Sequence, residues 1–169
     1  AALGVGLRIR AVRPVAAIIG IAGFALWASN EALQQTMTIF AFDKWRAAYF
    51  AADEATRAII RTNAAMYDGL WDALYLLLMI GFSIGNTSLG LALIRAGRGV
   101  TRIVGCFLLA AVVITLPLIT GEMQLWTMPE PLASWSYPAI QPLGRTLIGL
   151  WLWTAANEQE PLPTRFRFS

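Results

Sequence analysis

LYLLLMIGFSIGNTSLGLALIRAGRGVTRIVGCFLLAAVVITL, residues 74–116, decides how the chain is built. Two apolar runs flank the short basic break Arg95-Ala96-Gly97-Arg98-Gly99. Each run is long enough to be a membrane-crossing helix, because about 20 residues rise about 30 Å, the depth of a hydrocarbon core. The pattern reads as a tight helical hairpin, with a second span at 71–94 and a third at 100–125. The helix of the second span is expected to start earlier, near Asp53. Pro117 lies inside the third span and removes one backbone hydrogen bond, so a kink is expected there.

Working outward, a first span is expected at 14–33, behind Arg8, Arg10 and Arg13, with Pro14 in the first helical turn where its missing N–H costs nothing. A basic front before an apolar run also suits a cleavable signal sequence ending near Ala28-Ser29, but a retained span is the favoured reading. Residues 34–65 mix charges with Phe40, Phe42, Trp45, Tyr49 and Phe50. They read as an amphipathic helix lying in the outer interface, or as the first helix continued beyond the bilayer. Asp53 suits an N-cap, and Asp53–Arg57 an i,i+4 pair. Residues 126–138 are rich in proline and aromatics, as an interfacial loop would be, and a fourth span is expected at 138–155. The polar tail 156–169 is expected to be extended. The fold class is therefore an all-α membrane protein. It is a single domain of about four transmembrane helices, with an interfacial amphipathic segment between the first and second spans.

Composition agrees. Of 169 residues, 57% are hydrophobic and 14% charged, with a mean hydropathy of +0.59; soluble domains carry roughly 25% charged residues. The net charge of +3 comes from cations that flank apolar runs, which sets membrane orientation and argues against nucleic-acid binding. Arg8, Arg10, Arg13, Arg95, Arg98, Arg102, Arg165 and Arg167 fall on one side; Lys44, Arg46, Arg57, Arg61 and Arg145 fall on the other. That bias places both termini in the cytoplasm, and Trp27, Trp71, Trp126 and Trp135 near the outer boundary. The single cysteine, Cys106, excludes an intrachain disulfide and reads as a small core residue. The chain has no histidine, which removes the commonest general base, the commonest metal ligand and any imidazole ligation of haem or chlorophyll. No cofactor is expected to be ligated. Contact with lipid, quinone or carotenoid along the aromatic segment stays open.

Two constellations stand out. Gly81, Gly85, Ser88 and Ala92 form a small-residue stripe on one face of the second span, suited to packing within the bundle or against a partner chain. Asp68, Asp72, Asn86, Glu122 and Arg145 are polar or ionisable groups in or beside spans. Asp68, Asp72, Glu122 and Arg145 could meet near the outer interface as an ion-pair or anion site, or be solvated there, with Arg145 snorkelling outward. Thr87 and Ser88 can bond their own backbone, so only Asn86 calls for explanation at its depth.

The run Leu89-Gly90-Leu91-Ala92-Leu93-Ile94-Arg95-Ala96-Gly97-Arg98, followed by Arg102-Ile103-Val104-Gly105, resembles a family of uncharacterised bacterial multi-pass membrane proteins over residues 53–113. The resemblance implies a location in the bacterial inner membrane and no catalytic residue. The functional expectation is a non-catalytic accessory subunit packing against other membrane protein subunits, in a complex of respiratory or photosynthetic type. The alternative is a small oligomeric transporter or channel.

Overall fold

The computed structural model describes residues 1–123, 125, 126 and 129–157, with side chains except at 122, 131–133, 135–138, 140, 141 and 155–157. The described residues form helices α1 (Ala2–Ile9), α2 (Pro14–Met37), α3 (Asp43–Ala51), α4 (Glu54–Ala96), α5 (Val100–Glu122) and α6 (Glu130–Asn157). A π-helical stretch, Thr38–Phe42, joins α2 to α3 without interruption. Among the described residues, three stretches are long and apolar enough to cross a membrane: Pro14–Ala51, Glu54–Ala96 and Val100–Gly121.

The two longest stretches pair antiparallel. Gly20 sits against Leu89, Gly23 against Gly81 and Gly85, and Gln34 donates to the Trp71 carbonyl at 3.0 Å. The crossing is close because three glycines meet there. A Cβ on Gly23 would lie 2.6 Å from the Gly85 nitrogen and 2.8 Å from the Gly81 oxygen. The small-residue stripe is used inside the chain: Ser88 Oγ donates to the Ala16 carbonyl at 2.9 Å, and Ala92 is buried in the main core. Helix α5 returns along α4 through a second close approach, Gly90 to Gly105, after a turn in which Gly99 takes φ +53°. Helix α6 packs on α5, with Gly144 against Phe107 and Trp151 Nε1 donating to Thr101 Oγ1 at 2.9 Å.

Residues 1–13 are more than a basic front. Helix α1 folds back along α2 and buries Val5 and Ile9 completely beside Leu93, Val104 and Trp151. Arg8 lies over the Trp151 ring at 5.7 Å. This basic end of the molecule thus holds the main core.

At the distal end the helix runs unbroken from Pro14 to Ala51. Its 38 residues and the 43 of α4 reach about 57 and 65 Å. Tyr67 is the hub there: Phe42 stacks on it at 5.1 Å, Trp45 meets it edge-on at 6.2 Å, and Trp71 leans on it at 5.9 Å. The Tyr67 hydroxyl is 2.8 Å from Thr38 Oγ1, which donates to the Gln34 carbonyl at 3.0 Å. Asp53 caps α4 by accepting from the Thr56 N–H at 2.8 Å. The pair expected between Asp53 and Arg57 is not formed. Arg57 turns back to the end of α3, donating to the Tyr49 carbonyl at 3.1 Å, because exposed carbonyls at a helix C-terminus attract a cation.

Two further expectations are corrected. Cys106 is exposed on α5 rather than in the core, because the face of α5 that packs inward is set by Val104, Gly105 and Leu108. Helix α6 starts at Glu130, with Pro131 in its first turn, and runs straight through 130–138 where a loop was expected. The tail residues 158–169 lie outside the described residues.

Candidate functional site

The close α2–α4 crossing brings Phe24 and Phe82 into edge contact, ring centroids 6.3 Å apart, and Phe24 meets Trp27 in the same manner. Next to these rings is a cavity of about 220 Å³. Its walls are Phe24 and Trp27 of α2, Phe82 and Asn86 of α4, Phe107, Leu108 and Ala111 of α5, Gly144, Arg145 and Ile148 of α6, and Ala1 and Ala2. The cavity lies level with the glycine crossing and is open on the side of Arg145, which is exposed.

Arg145 and Asn86 are the polar side chains of that wall. The Arg145 guanidinium lies 5.8 Å from the Trp27 ring centroid, a cation–π arrangement at an exposed residue. Trp27 Nε1 is buried with no hydrogen-bond partner among the described residues. Asn86 is buried and donates to the Phe82 carbonyl of its own helix at 2.8 Å. The roles expected of Asn86 and Ser88 are therefore exchanged. Asn86 is satisfied locally, whereas Ser88 bridges two helices.

The structure brings Asn86 and Arg145 together and leaves the acids elsewhere. Asp68 and Asp72 are exposed, without hydrogen-bond or ion-pair partners among the described residues. They stand about 15–27 Å along α4 from Phe82 and Asn86. Glu122 ends α5, and its side chain lies outside the described residues. Arg145 lies farther from the start of its helix than its sequence position suggests, because α6 begins at Glu130, about 22 Å of helix before it, and its side chain is exposed. Trp27 lies level with Gly81, whereas Trp71 lies level with Gln34; Trp135 lies outside the described side chains.

An aromatic and aliphatic chamber with Arg145 at its wall suits the body of an amphiphile with an anionic or oxygen-bearing head. Among the described residues no cluster of three His, Cys, Asp or Glu side chains is placed to hold a metal. Sequence reasoning missed Gly23, Trp27, Phe107 and Gly144. A search for the partner of the small-residue stripe would have found Gly20 and Gly23, three residues apart on the first span. No family model, curated protein or solved structure matches the chain.

Proposed function

We propose that the chain is a non-catalytic accessory subunit of the bacterial inner membrane, with the Arg8–Arg13 segment and the C-terminus on the cytoplasmic side and α6 as its fourth span. Its distal helical hairpin docks on other membrane protein subunits, and the remaining flanks contact lipid. One observation carries the reading: large apolar side chains stand exposed on a hairpin too long for the bilayer to cover. Ile39, Phe40, Phe50, Ile59 and Met66 are between 57% and 78% exposed. The helices bearing them outrun a hydrocarbon core of about 30 Å by roughly the same distance again. Apolar surface in water at this density marks an interaction site. The arginine bias supports the orientation, and the resemblance at Leu89–Gly105 supports the bacterial setting.

The test is purification from native membranes in a mild detergent. A companion chain at fixed stoichiometry is expected, lost on Phe40→Asp and Phe50→Asp together. A chain that migrates without any other protein sinks the reading.

A second reading, a small oligomeric transporter, is favoured by the meeting of Asn86 and Arg145 at one cavity wall. The aromatic lining suits an amphiphile over a hydrated ion. Liposome flux that is lost on Asn86→Leu is the result this second reading requires.

A further inference from the structure

The exposed side of α4 carries a regular pattern that neither the bundle nor the cavity uses. Ile59, Met66, Ala73, Ile80 and Thr87 recur every seven residues. Asn63, Leu70, Leu77, Ile84 and Leu91 recur in the same way, each four residues after a member of the first series. Alternating spacings of four and three are those of a two-stranded coiled-coil seam, with the Asn63 series at one core position and the Ile59 series at the other. The large members are exposed between 37% and 71%, so none of the described residues covers them.

We infer that α4 pairs in parallel with α4 of a second copy of this chain, around a two-fold axis normal to the membrane. The pairing refines the docking reading above, and rests on it for the statement that Ile59 and Met66 stand beyond the lipid. Three observations select a second copy over a different helix. First, no charged residue occupies a core or core-flanking heptad position from Ala55 to Leu91; Arg57, Arg61, Asp68 and Asp72 all fall on the outer positions. Across a two-fold axis each charge near the core would face its own kind, so a self-pairing seam must exclude them, whereas a hetero-pair gains from complementary flanking charges. Second, Asn63 is the only amide in the seam and has no hydrogen-bond partner among the described residues. In a parallel pair of identical chains it meets its own copy at equal depth, the arrangement in which one core asparagine sets register. Third, the area fits. Seven half-exposed large side chains, with the small residues Ala58, Thr62, Ala65 and Gly69 beside them, offer on the order of 800 Å² per copy, the size of a standard interface. The water-exposed third of the seam provides hydrophobic drive, and the membrane-embedded part needs only close packing.

The experiment is a cysteine scan of the full chain in lipid vesicles at high lipid excess, in a Cys106→Ala background. Oxidation should link Asn63→Cys, Met66→Cys and Leu70→Cys into dimers several-fold more completely than Arg61→Cys and Asp68→Cys. Equal linking at all five positions, preference for Arg61 or Asp68, or no linking in variants that keep their helical circular dichroism overturns the pairing. Linked dimers from native membranes with no companion chain remove the accessory-subunit reading and leave the pairing intact. A stoichiometric companion with no linking does the reverse.

Discussion

The basic half and the distal half of this molecule are held by different physics. In the basic half, α1, α2, α4, α5 and α6 all meet, and the approach at Gly23, Gly81, Gly85, Gly90 and Gly105 is so close that a Cβ on any of them would come within 3.0 Å of a neighbouring atom. Close backbone contact of this kind gains dispersion energy, the term that holds helices together where hydrophobic drive is weak. In the distal half only two helical stretches pair among the described residues, Tyr67 and Gln34 are buried, and specific polar and aromatic contacts replace general packing. The same pair of helices therefore changes its mode of adhesion along its length.

The largest expected effect is on the glycine crossing. Gly23→Leu places a side chain where three backbone atoms of α4 already lie within 3.0 Å of the first added carbon. Backbone cannot yield as a side-chain tip can, so the loss should exceed the about 1–3 kcal/mol of ordinary overpacking. Thermal unfolding in detergent checks it. The matched distal change, Gly69→Ala, meets nothing within 4 Å and removes a flexible residue from a helix interior. Its midpoint should hold or rise. Equal losses at the two positions would erase the contrast between the halves.

Tyr67→Ala comes next. It removes a buried ring that Phe42, Trp45 and Trp71 all touch, together with the hydroxyl bonded to Thr38. Truncation of a large buried aromatic costs about 3 kcal/mol. The loss should be confined to residues 34–71, visible as faster amide hydrogen exchange there and unchanged protection at 81–93. Spread of the faster exchange into the glycine crossing would show that the halves fold as one unit. Tyr67→Phe isolates the hydroxyl and should cost about 1 kcal/mol.

How much of this was legible in the sequence follows the same division. The α4–α5 hairpin could be read because apolar length and a basic turn are local signals. The Asp53 cap was legible for the same reason, since a cap satisfies a donor three residues away. Helix α1 escaped because eight residues carry too little periodicity, and its three-arginine exit suggested a mere flank. The site was legible in its two polar side chains but not in its apolar and glycine walls. Asn86 and Arg145 were singled out, yet their meeting depends on where α6 begins. Residues 126–138 read as a loop for their prolines, although Pro131 and Pro138 sit in helix. Asp68 and Asp72 were assigned to the same cluster by position in sequence, whereas α4 extends far enough to carry them away from it.

The smallest expected effect, at the distal tip, tests whether that end is specified locally. The Thr56 N–H bonded to the Asp53 carboxylate, joined by the Thr56 side chain, holds the Asp53 pKa below its ordinary value. A carboxyl whose folded pKa is depressed stabilises the fold at pH above its unfolded value, and that contribution disappears as pH falls through the folded one. The α3–α4 turn should therefore be fully capped at neutral pH and begin to fray only below about pH 4, the ordinary aspartate range. Amide exchange at Thr56 and Arg57 should quicken on acidification through that window, while Tyr67 and its neighbours, which owe nothing to a carboxylate, stay protected. In Asp53→Asn the amide oxygen still accepts from Thr56, so the cap should persist and the acid-dependent step should vanish. If the wild-type turn is insensitive to pH, or if Asp53→Asn retains the step, the tip is held by Arg57 on the α3 carbonyls instead of by the Asp53 cap, and the distal half is less locally specified than its contacts imply.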